Sequence, residues 1–347
     1  MKKYLILGDG KSPHILKWIK ELRKYYRIYL ISFNGINEEI KGLISPKSIY
    51  ILSNNISPTG RNYKLLSLIP KLKRTILDIN PDIINPHFLN SYGFLTALTI
   101  PQKSFLIQST WGSDILETPF ANLLRYKIAT FSLKKADLIT SDSFIMSDNI
   151  EQYGIDKTKI ITFPFGLSEE DINDLSDFSK KENIIFSNRG LYKNYNIDII
   201  IKWFHIQSQN YKLIIANLGR EEKKLKKMVV ELGLSKRVEF VGYLDKEKQN
   251  NFYKLSKFYI SIPSSDSTSV SLLEAMSAGT IPIVSNIPVN REWILDGING
   301  IFFKSNLDLD KISIYTKYVD INLNLIKKKA IFSKNIEILI KKINSII

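Results

Sequence analysis

Two carboxylates stand eight positions apart in residues 258–303: Asp266 in a small polar loop and Glu274 on the helical pattern that follows. A carboxylate accepts two hydroxyl donors, so such a pair suits a hydroxyl-rich ligand. Between the two acids, Ser267, Thr268 and Ser269 are all good helix-capping residues. The free N–H groups of the helix start, around Ser269, Val270 and Ser271, suit a phosphate. An ordinary strand–helix–strand crossover with a capping Asp266 and a surface Glu274 has the same spacing. A second place for chemistry is Gly8-Asp9-Gly10-Lys11-Ser12-Pro13-His14. Gly8 and Gly10 there can admit phosphate or sugar close to the backbone, with Ser12 as N-cap and Pro13 in the first helical turn. A plain tight turn needs the same residues, and the full G-x-G-x-x-G is missing. His14 can reach a ligand or cap the helix locally.

These residues need elements to hold them. Residues 258–262 and 281–284 are strand-like apolar runs, and 270–278 is a short helical pattern closed by Gly279. In such a unit the loop leaving the first strand lies at the ligand-binding edge of a parallel sheet. The rest of the chain alternates in the same way. Strand patterns recur at 4–7, 27–33, 49–52, 105–108 and 160–163, then at 183–186 and 212–217. Residues 63–79 read as one helix that Pro70 kinks. The acidic, serine-rich segment 168–181 reads as a linker, and 336–347 as a basic amphipathic helix. Two halves of alternating strand and helix predict an α/β chain with two doubly wound parallel sheets.

Composition narrows the class. The 347 residues suffice for two domains with sizeable cores. No window reaches the roughly 18 apolar residues of a membrane span, and MKKYLILGDG reads as a first strand rather than a leader. There is no cysteine, and three scattered histidines make no local zinc motif. The net charge of +15 fits solubility or an anionic membrane surface. No nucleic-acid motif accompanies it, so nucleic acid is not expected as a partner.

The run D-STSVSLL-E-AM-SAGTIPIVSN resembles the signature of the retaining GT-B glycosyltransferases of family 4. That signature has two acids separated by seven residues, then Ala-Met and Gly-x-Pro-x-Val; Asp266 stands where the family usually has Glu. The wording Ser-x-Ser-Leu-Leu-Glu-Ala-Met, with Asn290-Arg291-Glu292-Trp293, is similar to group 1 enzymes of lipopolysaccharide, capsule and exopolysaccharide biosynthesis. Pro81-Asp82-Ile83-Ile84-Asn85-Pro86-His87, Ala136-Asp137-Leu138-Ile139-Thr140 and residues 238–242 resemble strands of the family, and the hinge-like Pro164-Phe165-Gly166-Leu167 also resembles a family segment. So does Trp111-Gly112-Ser113-Asp114, with Trp111 where relatives often have His.

The resemblance implies an acceptor-side domain at 1–166 and a nucleotide-sugar-binding domain at 167–320, facing a central cleft. A helical segment at 321–347 packs back on the first. It implies that Glu274 binds ribose hydroxyls, Asp266 contacts the transferred sugar, and Asp114 orients acceptor or donor sugar. Arg189, and more loosely Lys193, neutralise the donor diphosphate. Asp308-Leu309-Asp310 lies too late to serve as a metal-binding D-x-D, so no metal or cofactor is expected. The implied partners are a nucleotide-sugar donor and a glycan or lipid-linked acceptor, handled at the cytoplasmic face of a membrane. Two alternatives stand beside this: a sugar-nucleotide 2-epimerase, which shares the GT-B architecture, and a non-catalytic nucleotide- or glycan-binding subunit of a glycan assembly complex.

Overall fold

The apolar runs of the first half form seven strands: β1 Lys3–Leu7, β2 Arg27–Ser32, β3 Ile49–Ile51, β4 Ile83–Pro86, β5 Phe105–Ser109, β6 Leu138–Ser141 and β7 Ile160–Thr162. They pair in parallel in the order β3-β2-β1-β4-β5-β6-β7. KYLIL and RIYLIS are nearly unbroken apolar runs because both faces of a parallel sheet are covered. The structure is a computed structural model that describes residues 1–54, 63–172, 178–312 and 317–347.

A second parallel sheet follows: β8 Glu182–Ser187, β9 Lys212–Ala216, β10 Val238–Gly242, β11 Ser256–Ser261, β12 Ile281–Val284 and β13 Ile301–Phe302. Its order is β10-β9-β8-β11-β12-β13. Each sheet reverses its strand order once, between β1 and β4 and between β8 and β11. At such a switch point the connections leave on opposite faces, and a crevice opens at the carboxyl ends of the two strands.

The chain divides into two compact units, Met1–Phe163 with Ile336–Ile347, and Pro164–Asn335. In the first unit Ser12 caps helix α1 (Pro13–Leu22) by accepting from the His14 N–H, and Ile15, Trp18, Ile19 and Leu22 are buried. Helix α2 (Leu123–Lys135) is capped by Asn122. The second unit contains α3 (Lys246–Leu255) and α4 (Val270–Ser277). Gly279 closes α4 at a φ of +69°, a conformation that a side chain strains. Helix α5 (Phe332–Asn344) buries Ile336, Leu339 and Ile343.

Two local expectations change. Pro70 does not kink a helix but starts one: Tyr63–Leu68 is a tighter 3₁₀ turn, and Ile69–Ile79 is the helix, with Pro70 in its first turn. There its missing N–H costs nothing. Of the expected linker 168–181, residues 173–177 lie outside the described residues. Its end is no linker: Lys181 is buried, and its Nζ donates to the Tyr253 and Lys254 carbonyls and the Thr280 hydroxyl.

Candidate active site

Arg189 leaves the end of β8 and Asp266 the end of β11, so both stand at the switch point of the second sheet. Arg189 Nη2 donates to Asp266 Oδ2 at 2.7 Å, and Nη1 to the hydroxyls of Ser269 (2.6 Å) and Ser271 (3.0 Å). The guanidinium lies over the Tyr195 ring, 4.4 Å from its centroid. Burial opposes the charge at Arg189, but Asp266 together with Tyr259 and Tyr195 outweighs it and holds the pKa above the ordinary value. Arg189 Nε is buried and has no hydrogen-bond partner among the described residues.

Ser269 takes the N-cap position of α4, but its hydroxyl does not cap; it accepts from Arg189 instead. The Ser269 carbonyl takes the N–H groups of Leu272 and Leu273. The amides of Val270 and Ser271 therefore open the helix, where no helical acceptor precedes them. Ser271 Oγ also accepts from Tyr259 at 3.0 Å. A cation, two hydroxyls and a helix start thus converge on one point.

Glu274 lies one turn further along α4. Its Oε2 accepts from Gln249 Nε2 at 2.9 Å and from Tyr253 OH at 3.0 Å. Tyr253 OH in turn accepts from Asn188 Nδ2 at 2.8 Å, and Asn188 is the residue before Arg189. Sequence reasoning missed Gln249 and Tyr253. Their four-residue spacing on α3 puts them on one face, but nothing local says that this face meets α4.

Lys193 is not brought to this cluster. It is exposed and lines a shallow pocket with Asp198, Glu221 and Lys224 that does not include Arg189.

In the first unit the backbone cradle expected at Gly8, Gly10 and Ser12 is not there. The Gly8 N–H goes to the Ile31 carbonyl, Gly10 to the Ser32 hydroxyl and Ser12 to the Asp9 carbonyl. Amides already used inside the loop cannot also hold a phosphate. The glycines have a packing reason: a Cβ on Gly8 would strike Ile15, and one on Gly10 would lie 2.5 Å from the Gly35 carbonyl oxygen.

Asp114 likewise takes a different place from the one expected. It is fully buried; Oδ2 accepts from the Leu89 N–H at 2.8 Å and Oδ1 from the Trp111 N–H at 2.9 Å. Burial raises its pKa to about 6, against the lowering effect of amide hydrogen bonds from Leu89, Trp111, Asp114 and Gly112. A carboxylate held on both oxygens ties the 111–114 loop to the end of β4 and is shut off from a sugar. Asp114→Ala is expected to destabilise the protein by about 1–3 kcal/mol by leaving buried N–H groups unpaired. Urea unfolding followed by circular dichroism measures this; an unchanged midpoint would free Asp114 for a ligand role.

Beside that loop lies an aromatic cluster. Trp111 Nε1 donates to His87 Nδ1 at 3.3 Å, and the His14 ring meets Trp111 edge-on with centroids 5.2 Å apart. Burial, then His14, lowers the His87 pKa to about 3; burial, then Lys17, lowers that of His14 to about 4, so both rings are neutral. His87 follows β4 and the His14 loop follows β1, the switch point of the first sheet. The sequence signal for His87 was its place directly after a strand.

Residues 168–339 match the family model of glycosyl transferases group 1, and residues 3–143 match that of glycosyl transferase 4-like domains. Together the two glycosyl transferase models match most of the chain. Among similar proteins, an uncharacterized glycosyltransferase of Methanocaldococcus jannaschii is 30% identical over 232 residues, 62% of this chain and 59% of that protein. The O-antigen chain mannosyltransferase of Salmonella typhimurium is 30% identical over 171 residues, 48% of this chain and 47% of that protein. The chain thus spans about half the length of the curated relatives it matches. Anabaena HepE, solved in complex with UDP-glucose, superposes with a TM-score of 0.81 at 15% identity, over 99% of this chain and 100% of that one. Sucrose-phosphate synthase from Thermosynechococcus elongatus gives 0.83 at 12% identity, over 100% of both. At such identities the likeness establishes the fold, which is GT-B: two doubly wound parallel α/β sheets.

Proposed function

We propose that this glycosyltransferase is a retaining family 4 enzyme that moves a sugar from a nucleotide-sugar donor to a glycan or lipid-linked acceptor. The observation that carries this is Arg189, its guanidinium over the Tyr195 ring beside the opening amides of α4 at the switch point of the second sheet. Breaking the bond between sugar C1 and the phosphate oxygen leaves negative charge on the diphosphate. A positioned guanidinium and helix N–H groups stabilise that charge where it develops. Glu274, oriented by Gln249 and Tyr253, takes the ribose hydroxyls. Asp266 contacts the sugar; a diphosphate oxygen that competes for Arg189 Nη2 turns it that way. The acceptor oxygen bonds C1 from the face the phosphate leaves, and its proton passes to the leaving phosphate oxygen, so configuration is retained.

The acceptor class draws support from the relative that is an O-antigen chain mannosyltransferase. A lipid-linked acceptor places the reaction at the inner face of the cytoplasmic membrane, and the +15 charge fits attraction to anionic lipid there. Among the described residues no helix is long and apolar enough to cross a membrane.

A thermal-shift screen across UDP, GDP, dTDP and CMP sugars, followed by NMR of the product anomer, tests this reading. It expects one nucleotide series to raise the melting temperature and the product to keep the donor's anomeric form. An inverted product overturns retention, and stabilisation without donor turnover indicates a binding subunit.

The proposal includes turnover without metal or cofactor. Among the described residues no group of three or more His, Asp or Glu side chains is arranged to hold an ion. Rates in excess EDTA are expected to match those without it; a loss restored by manganese or magnesium would contradict the cationic role given to Arg189.

A further inference from the structure

Three large apolar side chains crowd into five residues on the surface of the first unit. Phe120, Leu123 and Leu124 are 59%, 69% and 63% exposed. They flank Asn122, whose Oδ1 accepts from the Arg125 N–H at 3.0 Å and fixes the start of α2. The apolar tip is therefore displayed by an ordered turn. Behind it Tyr126 stacks on Tyr153, centroids 5.0 Å apart. The inner face of α2 buries Ala129, Ser132 and Leu133. Its outer face carries Leu123, Lys127 and Lys134 at helical spacing, all exposed. The first turn holds two leucines and no acid, although helix starts favour acidic residues.

Exposed apolar clusters of this kind mark a partner, and charge says which. The first unit carries 24 lysines and arginines against 14 aspartates and glutamates; the second carries 25 against 20. Two copies of so basic a unit repel each other, which disfavours a homodimer here. A nucleic acid would meet the cations but leave Phe120 and the leucines against phosphates. An anionic lipid surface accepts both: apolar side chains in the acyl boundary, lysines among the headgroups.

We infer that Phe120, Leu123 and Leu124 form the tip that enters an anionic lipid surface, with Arg125, Lys127 and Lys134 against the headgroups. This rests on the membrane-side reading above and adds to it a named surface.

Co-sedimentation with phosphatidylcholine vesicles, with and without phosphatidylglycerol, tests it. Wild type is expected on the anionic vesicles, with binding that falls as salt rises. The triple variant Phe120→Ser, Leu123→Asn, Leu124→Asn should bind at least about tenfold more weakly. Neutralising Arg125, Lys127 and Lys134 to Gln should cost about fivefold for each charge removed. The control variant Lys327→Gln, Lys328→Gln, Lys329→Gln removes the same charge from the second unit and should bind like wild type. Arg125 is half-buried and the other eight positions are exposed, and melting curves confirm folding. If the control loses binding and the apolar variant does not, the surface is wrong while membrane attachment stands. If wild type ignores anionic vesicles, both fail. Concentration-dependent dimers in light scattering that the apolar variant abolishes would assign the tip to a second copy and overturn the inference.

Discussion

Arg189→Ala should lower kcat by about two to three orders of magnitude, the loss seen when one preorganised charge stabiliser is removed. The donor KM should change far less, because the guanidinium is asked to act as charge builds on the departing diphosphate. Its geometry supports this: two hydrogen bonds to Ser269 and Ser271, one to Asp266, and the guanidinium 4.4 Å from the Tyr195 ring centroid. Arg189→Lys should recover only part of the rate, since an ammonium cannot keep the planar fork or the stacking. The truncation also leaves the Asp266 carboxylate without its partner, which by itself is destabilising. In the pair Arg189→Ala, Asp266→Asn the melting temperature should return toward wild type, which isolates the stability effect. A variant with normal kcat and raised KM would make Arg189 a contributor to uniform binding and remove it from the chemical step.

Glu274→Ala should weaken donor binding by about 2–3 kcal/mol, roughly a hundredfold, as charge-assisted bonds to two hydroxyls are lost. Glu274→Gln should lose less, since one acceptor oxygen remains. The network behind it gives a second reading. Tyr253→Phe removes one of the two donors on Oε2 and leaves Asn188 Nδ2 without its acceptor. It should weaken the donor by about 0.5–1.5 kcal/mol. Calorimetry with the nucleotide diphosphate measures all three variants. Wild-type affinity in a folded Glu274→Ala protein would take the ribose away from this carboxylate, and Tyr253 would become a packing residue.

The two switch points show how position was legible while partners were not. Apolar runs and turn residues, read along the chain, gave the alternation of strand and helix and therefore the doubly wound sheets, because periodicity is local. They also put Arg189 at a strand end and Asp266 and Glu274 eight apart around a helix start. Pro70 was misread because a proline in a first turn and one in mid-helix look alike until the cap is seen.

What the tertiary structure decided is which groups meet and which are already used. Arg189 and Asp266 are 77 positions apart, and their ion pair exists only because the order β10-β9-β8-β11 sets β8 against β11. Ser269 looked like a capping hydroxyl and became a guanidinium partner. Asp114 and the Gly8–Ser12 loop looked open to a ligand, yet their hydrogen-bonding groups are satisfied inside the first unit. Sequence determines what a side chain or amide can offer. Whether the offer is still open depends on neighbours brought from distant strands, and a buried polar group takes the first good partner it finds because leaving it unpaired costs about 1–3 kcal/mol.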